Sequence, residues 1–461
     1  MTMQCISPVD GRVYAERSAA DSAQIEATLA RAWQAQRSWQ GVPLAERRAI
    51  IERFCDELER RTAEVAGELT WQMGRPSRFA PSEVRGTLER GRHMAGIAAA
   101  ALAELDAGPK AGFRRFIRRE PLGVVFTVAA WNYPYLIAVN SVVPALLAGN
   151  AVVLKHSAQT PLCGERFAEC LAAAGLPAGV FSVLHLTHAD TERIIRDPRI
   201  AFVAFTGSVV GGRAVQRVAA ERFIGVGLEL GGCDPVYVRH DADLAHAIEN
   251  IVDGAFFNSG QSCCGLQRIY VHESVHERFT RGCLELIGQY RLGDPRDPET
   301  TLGPVVRTAA ADTIRAQIRA SIEAGARPAI DERAFTRSRA GTPYLAPQLL
   351  LDAPAQSAVM REEIFGPVAG VMKVASDTEA VAHMNTSPFG LTAAVWTGDV
   401  AAALSLGEQV ETGTFFLNRC DYLDPALAWA GVKESGRGCT LSVIGYEQLT
   451  RPKSFHLRVT T

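Results

Sequence analysis

The chain has 461 residues, 47% of them hydrophobic and 21% charged, with a formal net charge of −2. That length suits two or three domains with more than one buried core, and the absence of any long basic run argues against nucleic acid or an acidic membrane surface as partner. The ten cysteines include no Cys-x-x-Cys, a reducing-compartment pattern in which neither a disulfide framework nor a metal site is expected.

Taken in chain order, the N-terminus has no basic-then-apolar layout, so no signal peptide is expected and the location reads as cytoplasmic. Residues 21–105 repeat apolar positions at three and four, as in "LAERRAIIERFCDELERR", and are expected to be helical. Next comes "DAGPKAGFRRFIRRE" at 106–120, whose Gly-Pro turn and alternating basic run suit a protruding hairpin. The apolar stretch that starts at Pro121 resembles a membrane span by hydropathy alone. Asn132, Pro134, Asn140, Pro144 and Asn150 interrupt it, and such polar groups are costly in lipid. It reads as the buried interior of a large domain, with no membrane as partner.

From 121 to 229 short β-branched runs ("VVFTVAA", "AVVLK", "VFSVL", "IAFVAFTG", "GVGLEL") alternate with helical stretches. That is the pattern of an α/β fold with a parallel sheet covered on both faces. A second alternating region spans about 230–430. The last residues, "KSFHLRVTT", alternate like an edge strand.

The chemistry centres on "FFNSGQSCCG", where Cys263 and Cys264 are adjacent. A thiol attacks only as thiolate, and adjacent buried cysteines are by default inert packing. Two other stretches change the balance. Glu229 in "LELGG" sits at a strand end before two glycines, and Asn132 in "AAWNYPY" lies just past another strand. Ligands bind at the strand ends of parallel sheets. A thiol, an amide donor and a carboxylate are parts for attacking a carbonyl, holding an oxyanion and activating water.

These segments, with "PALLAGNAVVLKHSAQTP", "FTGSVVGG", "EEIFGPV" and "GVKESGRG" in the same order, resemble the aldehyde dehydrogenase superfamily over almost the whole chain. The resemblance implies a Rossmann-like nucleotide-binding domain (1–105 and 121–229, with 431–451 returning to it) and an α/β catalytic domain (230–430). Oligomerisation strands at 106–120 and 452–461 would pair across a subunit boundary in a homodimer or homotetramer. It implies that Cys263 is the nucleophile, since the motif Gly-Gln-x-Cys places it after Gly260, Gln261 and Ser262, while Cys264 faces the packing. Asn132 and the Cys263 backbone N–H then hold the oxyanion, hydride passes to a nicotinamide, and Glu229 activates the water that releases the acid. For NAD or NADP it implies Trp131, Lys155, Ala158, Gly207, Ser208, Gly212, Glu363 and Phe365.

Two departures from the pattern bear on specificity. Ala158 stands where NAD-preferring members carry a ribose-binding glutamate, so repulsion of a 2′-phosphate is absent and NADP should be tolerated. His156 replaces a proline, either near that phosphate or as a partly exposed loop residue. On the substrate side Tyr133, Phe257 and Trp429 are expected to line an aromatic tunnel for an aldehyde. Arg419 either grips the carboxylate of a semialdehyde or pairs structurally in its loop. A coenzyme A-acylating or esterase-type thiol enzyme is the alternative; Glu229 argues against the former, and Lys155, Ser208 and Glu363 against the latter.

Overall fold

The computed structural model describes residues 1–460. After a two-stranded ribbon, helices Ser22–Trp39, Leu44–Arg60, Thr62–Met73 and Pro81–Ala101 occupy the region whose periodicity predicts them. Local chemistry sets their ends. Asp21 and Gln24 form a reciprocal capping box at the first, and Gly74, at φ +81°, closes the third in the left-handed region. Their apolar faces (Ile51, Phe54, Leu58, Leu69) are buried in one core with the helix Pro134–Leu147. That helix is buried along most of its length, so the apolar 121–154 stretch is protein interior. Among the described residues no helix is long and apolar enough to cross a membrane.

A six-stranded sheet follows, in the spatial order Gly436–Arg437, Gly225–Glu229, Ile200–Thr206, Val124–Val128, Ala151–Lys155, Phe181–Val183. All neighbours are parallel except the first pair, where the late segment Gly436–Arg437 returns antiparallel to Leu228 and Glu229. The chain moves outward from Val124–Val128 in one direction, then resumes on the other side of that strand with Ile200–Thr206. At this reversal the loops after the two strands diverge, opening a crevice at their carboxyl ends.

A second sheet of seven strands, from Arg327–Pro328 to Thr414–Leu417, has Asp234–Val238 and Leu266–His272 near its centre and is parallel apart from its first pair. Both sheets carry helices, as the strand–helix alternation requires, and the architecture is α/β.

A third sheet joins the hairpin region to the end of the chain. Phe113–Pro121 pairs over nine residues with Thr450–Arg458 of the same chain, and Phe116 stacks on Phe455 at 4.6 Å. The two strand signals at 106–120 and 452–461 therefore pair with each other within one chain. An antiparallel register joins them because the segment before Thr450 brings the chain's end back beside Pro121. Only the outer side of Thr450–Arg458 and the short Leu105–Asp106 remain as edges.

Candidate active site

A cavity of about 390 Å³ opens at the carboxyl ends of the six-stranded sheet. Its lining includes Cys263, Asn132 and Glu229, three residues remote in sequence. A larger recess of about 700 Å³ lies among residues at the opposite, amino ends of the same strands, including Gly123, Ile200 and Gly225. It holds none of these three residues, and the strand-end rule favours the smaller cavity for chemistry.

The loop that presents Cys263 is shaped by its backbone. Asn258, Ser259 and Gly260 take positive φ values of 53°, 56° and 70° in succession, turning the chain sharply after the helix Leu244–Phe256. Such a run is sterically unfavourable and needs outside support. Gln261 supplies part of it, donating to the Asn258 carbonyl at 3.0 Å and accepting from the Val306 N–H at 2.7 Å. A side chain at Gly260 would place its Cβ 2.0 Å from the Gly366 carbonyl, so only glycine fits. Cys263 is partly exposed to the cavity, whereas Cys264 is buried, its Sγ 3.0 Å from an Asp421 carboxylate oxygen.

Asn132 is 4% exposed, and its Nδ2 donates to the Gln261 carbonyl at 3.2 Å, leaving its other N–H for the cavity. A buried polar network holds it there. Arg75 donates to the Asn132 carbonyl at 2.6 Å and to Asn258 Oδ1 at 3.1 Å, and it pairs with Glu83. Glu83 in turn accepts from the Tyr135 N–H at 2.9 Å, capping the start of the Pro134–Leu147 helix. Asn258 also donates to the Asn132 carbonyl at 3.1 Å.

Glu229 ends its strand facing the same cavity. It accepts from Thr440 Oγ1 at 2.6 Å and from Thr206 Oγ1 at 3.4 Å. Burial pushes its carboxyl above the usual glutamate range, while the Thr440 hydrogen bond and the Arg90 charge pull the other way. A carboxyl so raised is a stronger proton acceptor than an ordinary glutamate.

Of the residues assigned to a dinucleotide, Trp131, Lys155, Ala158, Gly207, Ser208 and Gly212 lie at or after the carboxyl ends of the strands Val124–Val128, Ala151–Lys155 and Ile200–Thr206, and Glu363 and Phe365 precede the strand Val368–Val374. Lys155 ends its strand with an ammonium that has no hydrogen-bond or ion-pair partner among the described residues, and burial lowers its pKa. Ser208 caps the helix Val209–Ala219, accepting from the Gly211 N–H at 3.2 Å; a side chain at Gly212 would meet Leu230 at 2.5 Å. Trp131 and Phe365 meet edge to face at 5.6 Å. Glu363 accepts from the Gly232 N–H at 3.1 Å, with its pKa pushed up to about 7 by burial. An unpaired lysine, a capped helix N-terminus and a screened carboxylate fit ribose hydroxyls and a pyrophosphate.

The family model that describes the aldehyde dehydrogenase family matches residues 1–455. The chain belongs to the aldehyde dehydrogenase family. It is 33% identical to a succinate-semialdehyde dehydrogenase [NADP(+)] of Mycobacterium avium, covering 98% of this chain and 96% of that protein. Among solved structures, an NAD-dependent aldehyde dehydrogenase from Sinorhizobium meliloti superposes with a TM-score of 0.96 at 30% identity, over 100% of this chain and 92% of that one. A succinic semialdehyde dehydrogenase from Streptococcus pyogenes in complex with NADP+ gives 0.93 at 27% identity, over 99% and 100%.

In this aldehyde dehydrogenase Tyr133, Phe257 and Trp429 do line the cavity with Cys263. Arg419 does not. It is exposed, and its guanidinium lies 3.7 Å from the centroid of the Tyr422 ring, which itself lines the cavity. His156 is not a partly exposed loop residue. It is 1% exposed, its ring touches the Pro134 carbonyl at 3.2 Å and the Ser157 N–H at 2.9 Å, and burial lowers its pKa to about 4. Arg75, Glu83, Asn258, Asp421, Thr440 and Arg90 escaped the sequence reading, since only long-range contacts bring them here.

Glu83→Gln leaves Arg75 as an uncompensated buried charge and should destabilise the protein by roughly 3 kcal/mol. Thermal unfolding of wild type and variant checks this; equal midpoints would show that the pair holds nothing.

Proposed function

We propose that this aldehyde dehydrogenase oxidises its substrate through Cys263, Asn132 and Glu229, with release of the acid by water. The observation that carries this reading is the single cavity onto which all three open. Cys263 Sγ adds to the aldehyde carbon, forming a C–S bond and a thiohemiacetal oxyanion. The free Asn132 N–H and the Cys263 backbone N–H receive that oxyanion; losing one such donor costs about 10²–10³ in rate. A bound nicotinamide would supply the two-electron acceptor for the hydride of the thiohemiacetal carbon, leaving a thioester on Cys263. Glu229 then takes a proton from water as its oxygen attacks the thioester, and the C–S bond breaks to free the thiolate. A water-activating carboxylate at this place supports hydrolysis over transfer to coenzyme A.

Lys155, Ser208, Glu363 and Phe365 would hold the dinucleotide, with Trp131 beside Phe365. Ala158 offers no carboxylate against a 2′-phosphate, and the relatives named above as NADP(+) enzymes support the same acceptor. Their printed substrate, succinate semialdehyde, supports an aldehyde with an acidic end as a second reading. The three sheets support the division into nucleotide-binding (1–105, 121–229, 431–451), catalytic (230–430) and oligomerisation (106–120, 452–461) units. The exposed edge of Thr450–Arg458 supports a homodimer or homotetramer, and ten free cysteines support a cytoplasmic setting.

Following reduced-nicotinamide absorbance over a panel of aldehydes with NAD or NADP tests the reaction. Cys263→Ala should lose about 10³-fold or more in rate; retained turnover would exclude Cys263 as the nucleophile. Ala158→Glu should lower the NADP-over-NAD preference at least about tenfold by charge repulsion with the phosphate, and an unchanged ratio would remove Ala158 from the specificity argument. Glu229 must be ionised to act as base, so kcat falls as pH drops through its raised pKa. Thr440→Val deletes the hydrogen bond that favours the ionised form, and the acid limb of the kcat–pH profile should move upward. A limb that stays in place would assign it to another group.

A further inference from the structure

Arg90, on the helix Pro81–Ala101, is 8% exposed and lines the cavity that holds Cys263. Its Nη1 donates to the Leu136 carbonyl at 3.1 Å and to Asn140 Oδ1 at 3.2 Å. A guanidinium carries five N–H groups, and here Nε and Nη2 have no protein acceptor among the described residues. Neither nitrogen belongs to the polar atoms sealed from all space, so both keep access to the cavity. Among the described residues no carboxylate lies within ion-pair distance of Arg90. The other arginines near this cavity are accounted for differently: Arg75 is neutralised by Glu83, and Arg85 is exposed.

A buried cation whose counter-charges, Glu229 foremost, act on it without forming an ion pair is costly, and two carbonyl-type acceptors return only part of its lost hydration. Asn140 and Leu136 hold one edge of the guanidinium against the helix that begins just after Asn132. The unpaired Nε–Nη2 edge is the fork that matches a carboxylate in two parallel hydrogen bonds. The aromatic walls, Tyr133, Phe257 and Trp429, supply no competing charge.

We propose that Arg90 binds the far-end carboxylate of the substrate, making the enzyme selective for a short aldehyde acid over a neutral aldehyde of like length. The proposal rests on the oxidative reading above and gives it a substrate class. It replaces Arg419, which stands outside the cavity.

The test compares 4-oxobutanoate with butanal. Wild type should prefer 4-oxobutanoate in kcat/KM, and in Arg90→Gln that preference should fall about 10–100-fold, the worth of a charge-assisted pair. Because the preference is a ratio within one protein, a smaller folded fraction cancels. Should Arg90→Gln yield no active protein, Arg90→Lys is measured instead, and its ratio should fall at least about threefold because a point charge loses the fork. An unchanged ratio in the variant, or a wild type that prefers butanal, would overturn the proposal while leaving aldehyde oxidation intact. Calorimetric binding separates the two readings. Cys263→Ala protein should bind 4-oxobutanoate, and Cys263→Ala/Arg90→Gln should bind it at least about tenfold more weakly. That loss in an enzyme that turns over no aldehyde would sink the oxidative reading and keep the anion site; equal binding by both would sink the site.

Discussion

The guanidinium of Arg75 joins three segments that the site requires together. It reaches the Asn132 carbonyl, the Asn258 side chain and the Glu83 carboxylate, all buried. Asn132 precedes the helix Pro134–Leu147, Asn258 opens the Cys263 loop, and Glu83 belongs to the helix Pro81–Ala101. Each polar atom there is satisfied by the others, so removing any member leaves a buried donor or acceptor unpaired. The strained left-handed run at Asn258–Gly260 persists because this network and Gln261 hold it from both sides.

Close backbone approach explains the glycines of the two motifs that meet at the cavity. A Cβ on Gly232 would come within 2.2 Å of the Cys263 carbonyl, and one on Gly231 within 2.4 Å of Glu363. The turn after Glu229 therefore packs directly against both the Cys263 loop and the Glu363 carboxylate. Substituting either glycine would move the parts relative to one another, and reacting groups misplaced by an ångström lose much of their advantage.

The cavity's electrostatics follow from burial. Glu229 is raised by loss of water and restrained by hydroxyl donors from Thr440 and Thr206. Asp421, pushed up to about 6 by burial, accepts from Ser262 at 3.1 Å and takes the Cys264 thiol as a further partner. Cys264 is thereby tied to a carboxylate on one side of the loop while Cys263 faces the cavity. Trp429 and Thr440 exchange backbone hydrogen bonds at 2.8 and 2.9 Å, so the aromatic wall and the hydroxyl that steadies Glu229 move as one unit.

Periodicity and composition determined the helical start, the run of parallel strands and the buried character of the 121–154 stretch, because these depend on side chains a few residues apart. Motif order determined the family, and with it which cysteine of the pair, which glutamate and which asparagine to examine. Tertiary structure alone decided where Arg419 and Arg90 stand. Arg419 sits near Trp429 in sequence and stacks over Tyr422 without lining the cavity, whereas Arg90 lies on a helix far earlier in the chain and lines the same cavity as Cys263. It also decided that His156 is a neutral buried residue and that the strands Phe113–Pro121 and Thr450–Arg458 pair with each other. A side chain's exposure and partners are set by packing between distant segments, and no local pattern in the sequence carries that information.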